Sequence, residues 1–384
     1  MDDAFVQFYT YAQDIIPGKV EDKYRWTNWN VISNGFSFVW DEATPIWVEI
    51  VPRRFTELPV KAKRIYVSTW YPRHMNIVVS WAQENPDCQF IIGGPISQIW
   101  HSLKCDLPKN ITPMWGVAEQ IFHKKPDPKT WKLIPPPAKV GTMYSYFLGG
   151  ECYWKKCKFC DTNFGNERAI SLEPLANAPP GFVWFSTPAL NPAKYNLLSQ
   201  LPYNGRRTYY VMIRSGGVEL ENLKRILPTI PDPTQLVFAV GIEFPSDQVL
   251  RFMNKGVTVK EQLEVINLIT SYGHNLMLFY IVDWPNLTRE DVDSAKLFFN
   301  SFSASANKLT MHRYGALVIY ENSSFPIEWK QFRYEDSLFF YGYGPILNKE
   351  QCTLNDEFIS LLDRFEFVAE RTKARRIKKR QNGK

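Results

Sequence analysis

Three of the six cysteines in this 384-residue chain fall within nine positions, in the run Gly149-Gly150-Glu151-Cys152-Tyr153-Trp154-Lys155-Lys156-Cys157-Lys158-Phe159-Cys160. Six cysteines in so long a chain do not make a disulfide framework, and three this close together point to a metal site in a reducing compartment. Thiolates are the usual ligands of iron–sulfur clusters, and a compact C-x4-C-x2-C loop can wrap three of them around one four-iron cubane. Three cysteines leave one iron open, because Cys105 and Cys352 lie far along the chain. A structural zinc site is the rival reading. It wants four protein ligands and usually pairs C-x2-C with a second Cys or His pair, and no second pair stands at a standard spacing.

The length exceeds a typical single domain, so one large barrel or two to three smaller units are expected. An apolar fraction of 45% and a charged fraction of 22% are those of a globular protein. The 13 Trp, 19 Tyr and 26 Phe read first as a heavily aromatic core and second as lining for a ligand cavity. The start, Met1-Asp2-Asp3-Ala4-Phe5, lacks the basic then apolar pattern of a secretory signal, so a cytoplasmic protein is expected. No apolar run approaches the roughly 18–20 residues that span a bilayer, which excludes an integral membrane protein of the helical kind. Much of the net charge of +6 sits at residues 371–380, Arg-Thr-Lys-Ala-Arg-Arg-Ile-Lys-Lys-Arg. That tail reads first as a solvated terminus and second as a contact for nucleic acid.

Apolar periodicity organises the remainder. Residues 64–69 form a β-rich run, after which Met75, Val78, Val79 and Ala82 recur at helical spacing. A second apolar run, 88–92, closes on Gly93-Gly94-Pro95, so residues 64–95 read as one βαβ unit with a backbone-exposing loop at a strand's carboxyl end. Prolines cluster over 126–139 and mark a semi-rigid linker. Beyond it, strand-like runs occur at 182–187, 208–214, 235–243, 275–283 and 308–319, separated by helical stretches. The clearest helix begins at Thr258, with Glu261 completing a capping box and Val259, Leu263, Ile266 and Ile269 on one face. Another begins near Thr288, with Asp291 in the corresponding position. The alternation implies a parallel sheet or partial barrel with its functional groups at the strands' carboxyl ends.

The cysteine run and the segments after it resemble the radical S-adenosylmethionine (SAM) superfamily over about residues 143–321. The resemblance implies a [4Fe-4S] cluster on Cys152, Cys157 and Cys160, whose open iron binds the amino and carboxylate groups of SAM. It also implies reductive cleavage of SAM to methionine and a 5′-deoxyadenosyl radical. Phe159 suits an apolar wall against the adenine. Phe185-Ser186-Thr187-Pro188 is similar to the end of the family's second strand, which contacts the methionyl amino group; the usual acidic residue is missing, leaving Ser186 and Thr187 to serve. Arg214, closing the third strand, pairs with the SAM carboxylate or else with a surface carboxylate. Gly241-Ile242-Glu243 followed by Met253-Asn254-Lys255-Gly256 is similar to the fourth strand and helix, which implies Glu243 near the ribose hydroxyls. Residues 279–288 resemble a strand-end motif that is normally glycine-rich, with Asp283 and Trp284 replacing small residues.

The Tyr-Trp pair after the first cysteine resembles the branch of that superfamily with a cobalamin-binding domain upstream. Ser68 in Val67-Ser68-Thr69, and Gly93, Gly94 and Pro95, occur in the order of that domain's strand-end loops. No Asp-x-His-x-x-Gly segment offers a histidine to cobalt, so the domain either binds cobalamin without that ligand or persists as a scaffold. The expected fold is therefore α/β: a Rossmann-like, cobalamin-binding-like domain over 1–135, a radical SAM partial (β/α)6 barrel over 136–321, and a C-terminal extension with the basic tail over 322–384. The expected function is functionalisation of an unactivated carbon, with cobalamin-dependent C-methylation as one outcome. Methylthio transfer, rearrangement or cyclisation without cobalamin are the others, and a non-catalytic metal-containing RNA-binding protein is the alternative from another class. The chemistry implies a one-electron donor such as flavodoxin or ferredoxin.

Overall fold

The fold is that of a computed structural model, which describes residues 3–10, 32–33, 46–50, 58, 62–68, 72–93, 107–114, 143–146, 152–160, 172–176, 181–185, 187, 189–303, 310–317, 327–333 and 341–364. The linker at 126–139 and the basic tail lie outside the described residues. Two compact units result. Met1–Phe147, Phe164–Val183 and Gln331–Gly342 form one; Leu148–Asn163, Trp184–Lys330 and Tyr343–Lys384 form the other.

In the first unit the chain runs through β1 (Asp3–Thr10), β2 (Ile32–Ser33), β3 (Ile46–Ile50), β4 (Arg64–Ser68), α1 (Pro72–Glu84), β5 (Gln89–Gly93) and β6 (Ile111–Pro113). The sheet has the order β2-β1-β4-β5-β6, with β3 also on β1. Every pairing is parallel except the short one between β1 and β2. The expected βαβ unit is present: Pro72 opens α1, where its missing N–H costs nothing, and Val78, Val79, Trp81 and Ala82 pack with Ile65, Val67, Phe90 and Ile92. Strand β1, not anticipated from sequence, pairs along β4, with Gln7 beside Ser68 and Ser68 beside Gly93. The turn between α1 and β5 is closed by one side chain. The Asn110 amide nitrogen lies 2.9 Å from the Ala82 carbonyl, 3.0 Å from that of Asn85 and 2.9 Å from that of Cys88.

The second sheet has the order β12-β11-β10-β9-β8-β7, the order of the sequence itself. Its strands are β7 (Met143–Tyr146), β8 (Gly181–Phe185), β9 (Arg207–Ile213), β10 (Leu236–Glu243), β11 (Asn275–Val282) and β12 (Thr310–Ala316). The pairs from β9 to β12 are parallel. Crossovers are made by α2 (Gly217–Ile226), α3 (Asp247–Phe252), α4 (Val259–Ser271) and α5 (Arg289–Ser303), and α6 (Lys349–Arg364) follows the sheet. Residues 236–242 are all buried, as a parallel strand covered on both faces requires.

Both expected helix starts are found. The Thr258 hydroxyl accepts from the Glu261 N–H at 3.2 Å while the Glu261 carboxylate accepts from the Thr258 N–H at 2.7 Å. Asp291 accepts from the Thr288 N–H at 2.9 Å and, with its other oxygen, from the Ser246 hydroxyl, so one carboxylate joins the starts of α3 and α5. The buried face of α4 is rotated from the expected one: Gln262, Val265, Ile266 and Ile269 are buried, whereas Val259 and Leu263 are half-buried. The cause is Gln262, whose amide donates to the Ile242 carbonyl at 3.0 Å and so turns a polar side chain inward. The C-terminal extension contributes α6 to the core, where the Phe358 ring packs at a tilt against Phe244, 4.2 Å between centroids. Among the described residues no helix is long and apolar enough to cross a membrane.

Replacing Asn110 by Ala removes the amide donor shared by the Ala82, Asn85 and Cys88 carbonyls, which costs about 1–3 kcal/mol. We expect faster hydrogen exchange over α1 and β5, read by mass spectrometry, with the second sheet unchanged.

Candidate active site

Parallel strands bring their carboxyl ends to one edge of a sheet. At that edge stand Thr187 after β8, Arg214 after β9, Glu243 closing β10 and Asp283 after β11. The last two adopt left-handed backbone, with φ of 62° and 67°, a conformation that costs a non-glycine residue energy and concentrates at functional sites. The cysteine loop belongs to the same unit. Its backbone has no regular ladder, and the turn after α3 supplies one in its place. The Lys158 N–H donates to the Met253 carbonyl at 2.9 Å, the Asn254 amide to the Lys156 carbonyl at 2.9 Å, and the Trp154 indole N–H to the Asn254 carbonyl at 2.9 Å. Gly256, at φ 67°, lies under the indole: a Cβ there would sit 2.0 Å from Trp154 Cζ2.

Arg214 is buried and fixed on several sides. Nη1 donates to the Tyr153 hydroxyl at 2.8 Å, Nη2 donates to the Lys255 carbonyl, and the guanidinium lies 4.4 Å from the centre of the Trp154 ring. Nε is buried with no hydrogen-bond partner. The Tyr153 hydroxyl in turn donates to Glu219, a fully buried carboxylate that also accepts from the Gly216 N–H at 3.1 Å. Burial, then the Glu219 carboxylate, push the Tyr153 phenol well above its usual range, so it stays a neutral donor. Lys255 forms a buried ion pair with Glu243. Thr187 Oγ1 is buried and has no hydrogen-bond partner. Burial pushes the Cys157 thiol up to about 11, against the pull of the Lys255 ammonium.

Cys157 and Cys160 are neighbours, with the Cys160 N–H donating to the Cys157 carbonyl at 3.2 Å. Among the described residues no three His, Cys, Asp or Glu side chains converge as ligands of one metal ion. A cubane instead takes each thiolate on a different iron, so its ligands surround a volume rather than a point. Phe159 meets Trp284 edge to face at 6.1 Å. Trp284 is held from α6: Asn355 accepts from its N–H at 3.0 Å and donates to its carbonyl at 2.9 Å. Ser186, Gly94 and Pro95 lie outside the described residues, as does the Ser68 side chain; the Ser68 and Gly93 backbones are cross-strand neighbours at the carboxyl ends of β4 and β5. Sequence reasoning assigned nothing to Glu219, Lys255 or Asn355. Glu219 and Lys255 carried a signal, one three residues after a glycine helix start and the other inside the Met253–Thr258 match. Asn355 carried none.

No family model matches the sequence, and no curated protein matches it. Solved structures do. The radical SAM methyltransferase TsrM from Kitasatospora setae, with tryptophan substrate and the SAM analogue aza-SAM bound, aligns with 94% of this chain and 89% of its own at a TM-score of 0.61 and 11% identity. The same enzyme with cobalamin and a [4Fe-4S] cluster bound aligns with 93% of this chain and 85% of its own, at a TM-score of 0.54 and 12% identity. The cobalamin-dependent radical SAM enzyme OxsB aligns at a TM-score of 0.47 and 12% identity over 78% of this chain, which spans 52% of that longer protein. A likeness at so low an identity is one of architecture: this chain shares the fold of the solved TsrM structures.

Proposed function

We propose that this chain is a radical SAM enzyme that functionalises an unactivated carbon, with cobalamin-dependent methyl transfer as its reaction. One observation carries the reading: a three-cysteine loop is clasped at the carboxyl edge of a parallel sheet beside Arg214, whose guanidinium donates to a phenol and a carbonyl and whose Nε is orphaned. The donor set fits a [4Fe-4S] cluster held by Cys152, Cys157 and Cys160, since three thiolates leave one iron for SAM. When bound, the cluster supplies the electron that cleaves SAM to methionine and a 5′-deoxyadenosyl radical. That electron comes from a donor of the flavodoxin or ferredoxin class.

The chain's own residues then bind and orient. Arg214, with its plane fixed by Tyr153 and Trp154, offers a charge-assisted hydrogen bond to the SAM carboxylate. The orphaned Thr187 hydroxyl, with its neighbour Ser186, takes the methionyl amino group in place of the missing acid. Glu243 accepts from the ribose hydroxyls, and Phe159, backed by Trp284, walls the adenine. We assign cobalamin, which carries the methyl group when bound, to Ser68 and Gly93 at the ends of β4 and β5 and to Gly94 and Pro95 after them. A glycine turn there lets backbone approach a flat corrin.

Anaerobic incubation of the reconstituted protein with SAM and a reductant, followed by product mass analysis, tests the reading. Methionine and 5′-deoxyadenosine support it, S-adenosylhomocysteine adds methyl transfer, and a purified protein holding one zinc overturns it. Ala at Cys152, Cys157 or Cys160 abolishes the 5′-deoxyadenosine and leaves the brown chromophore absent or labile, whereas Ala at Cys88 or Cys352 retains both.

Gly256→Ala probes the clasp without touching a ligand. The new Cβ displaces the Trp154 indole and loads a left-handed position, a backbone cost of about 1 kcal/mol or more. Iron and sulfide per chain fall by about half or more, while the far-ultraviolet circular dichroism stays that of the wild type.

A further inference from the structure

Lys255 has no part in the reading above beyond its backbone carbonyl. Its side chain is 6% exposed, and a buried ammonium is costly unless paired. The pair is with Glu243, whose side chain is 12% exposed. The fold makes room for it at Gly241, where a Cβ would lie 2.4 Å from Glu243 Oε1 and 2.9 Å from Lys255 Nζ. Glu243 accepts a left-handed backbone to complete the contact. At the other end of the residue, the Lys255 carbonyl takes a hydrogen bond from Arg214. On either side of Lys255, Met253, Asn254 and Gly256 are the residues that clasp the cysteine loop.

Lys255 sits between the residues that clasp the cysteine loop, whereas Glu243 belongs to the end of β10, so the cation is the member of the pair that the clasp itself carries. A cluster on three thiolates becomes more negative when it takes up an electron. A fixed cation in a site from which water is largely excluded stabilises that reduced form.

We propose that Lys255, held over Gly241 by Glu243 and built into the turn that clasps the cysteine loop, is a positioning residue that raises the reduction potential of the cluster. The inference rests on the reading that Cys152, Cys157 and Cys160 hold a [4Fe-4S] cluster. It concerns the ease of electron entry, before any step on substrate.

The test is a redox titration of the reconstituted full-length protein, monitored by electron paramagnetic resonance, with iron and sulfide counted in each sample. In Lys255→Met the midpoint falls, so that at a fixed potential the reduced-to-oxidised ratio drops about tenfold, which is about 59 mV for one electron. Lys255→Arg keeps the charge and restores the wild-type midpoint. The double variant Lys255→Met with Glu243→Gln leaves no stranded charge; its midpoint also falls, by less, because the opposing carboxylate is gone too. A wild-type midpoint in loaded Lys255→Met overturns the proposal, as does one in the double variant should the single variant fail to hold its cluster. A wild-type protein that binds no four-iron cluster overturns the parent reading along with this one, and the iron count tells the two failures apart.

Discussion

The cysteine loop at 152–160 has no ladder of its own, and its shape depends on three residues of one turn about a hundred positions later. Met253 and Asn254 provide two carbonyls and an amide that satisfy the loop's polar groups, and Gly256 provides the absence of a side chain that lets the Trp154 indole lie flat. This is a demanding arrangement for a short turn. Asn254 and Gly256 both take left-handed backbone, at φ 56° and 67°, so the turn coils back at two points within three residues. The consequence is that three thiols stand at the carboxyl edge of the sheet without any regular element carrying them there.

Charge at that edge is organised in a chain. Glu219, Tyr153 and Arg214 are linked by hydrogen bonds, Arg214 is tied to the Lys255 backbone, and the Lys255 ammonium closes on Glu243. Two buried cations stand between a buried carboxylate and a half-buried one, which is how a protein keeps ionised groups out of water at tolerable cost. The phenol in the middle lets Glu219 steer Arg214 without neutralising it. A direct carboxylate contact would have occupied the guanidinium that faces the strand ends.

The edge is also held from the far end of the chain. Asn355 on α6 replaces the ladder partners that the Trp284 backbone loses where β11 stops, and Trp284 in turn meets Phe159 of the cysteine loop. Phe358, one turn further along α6, packs on Phe244 and Tyr280. Helix α6 is therefore part of the core that fixes the strand ends.

Local pattern alone was enough for the cysteine spacing, the βαβ unit at residues 64–95, the five later strands to within a few positions, and the starts of α4 and α5 at Thr258 and Thr288. Each is written in adjacent residues: ligand spacing, alternation, or a hydroxyl followed three places on by a carboxylate. What the tertiary structure decided is of another kind. That β1 joins the first sheet beside β4, that Gln262 turns inward to the Ile242 carbonyl, that Lys255 pairs with Glu243 over Gly241, and that Asn355 clasps Trp284 all depend on partners between 12 and about 70 positions apart. No window of sequence contains both members of such a contact. A buried polar side chain reads like a surface one until the fold shows which unsatisfied backbone group or charge stands opposite it.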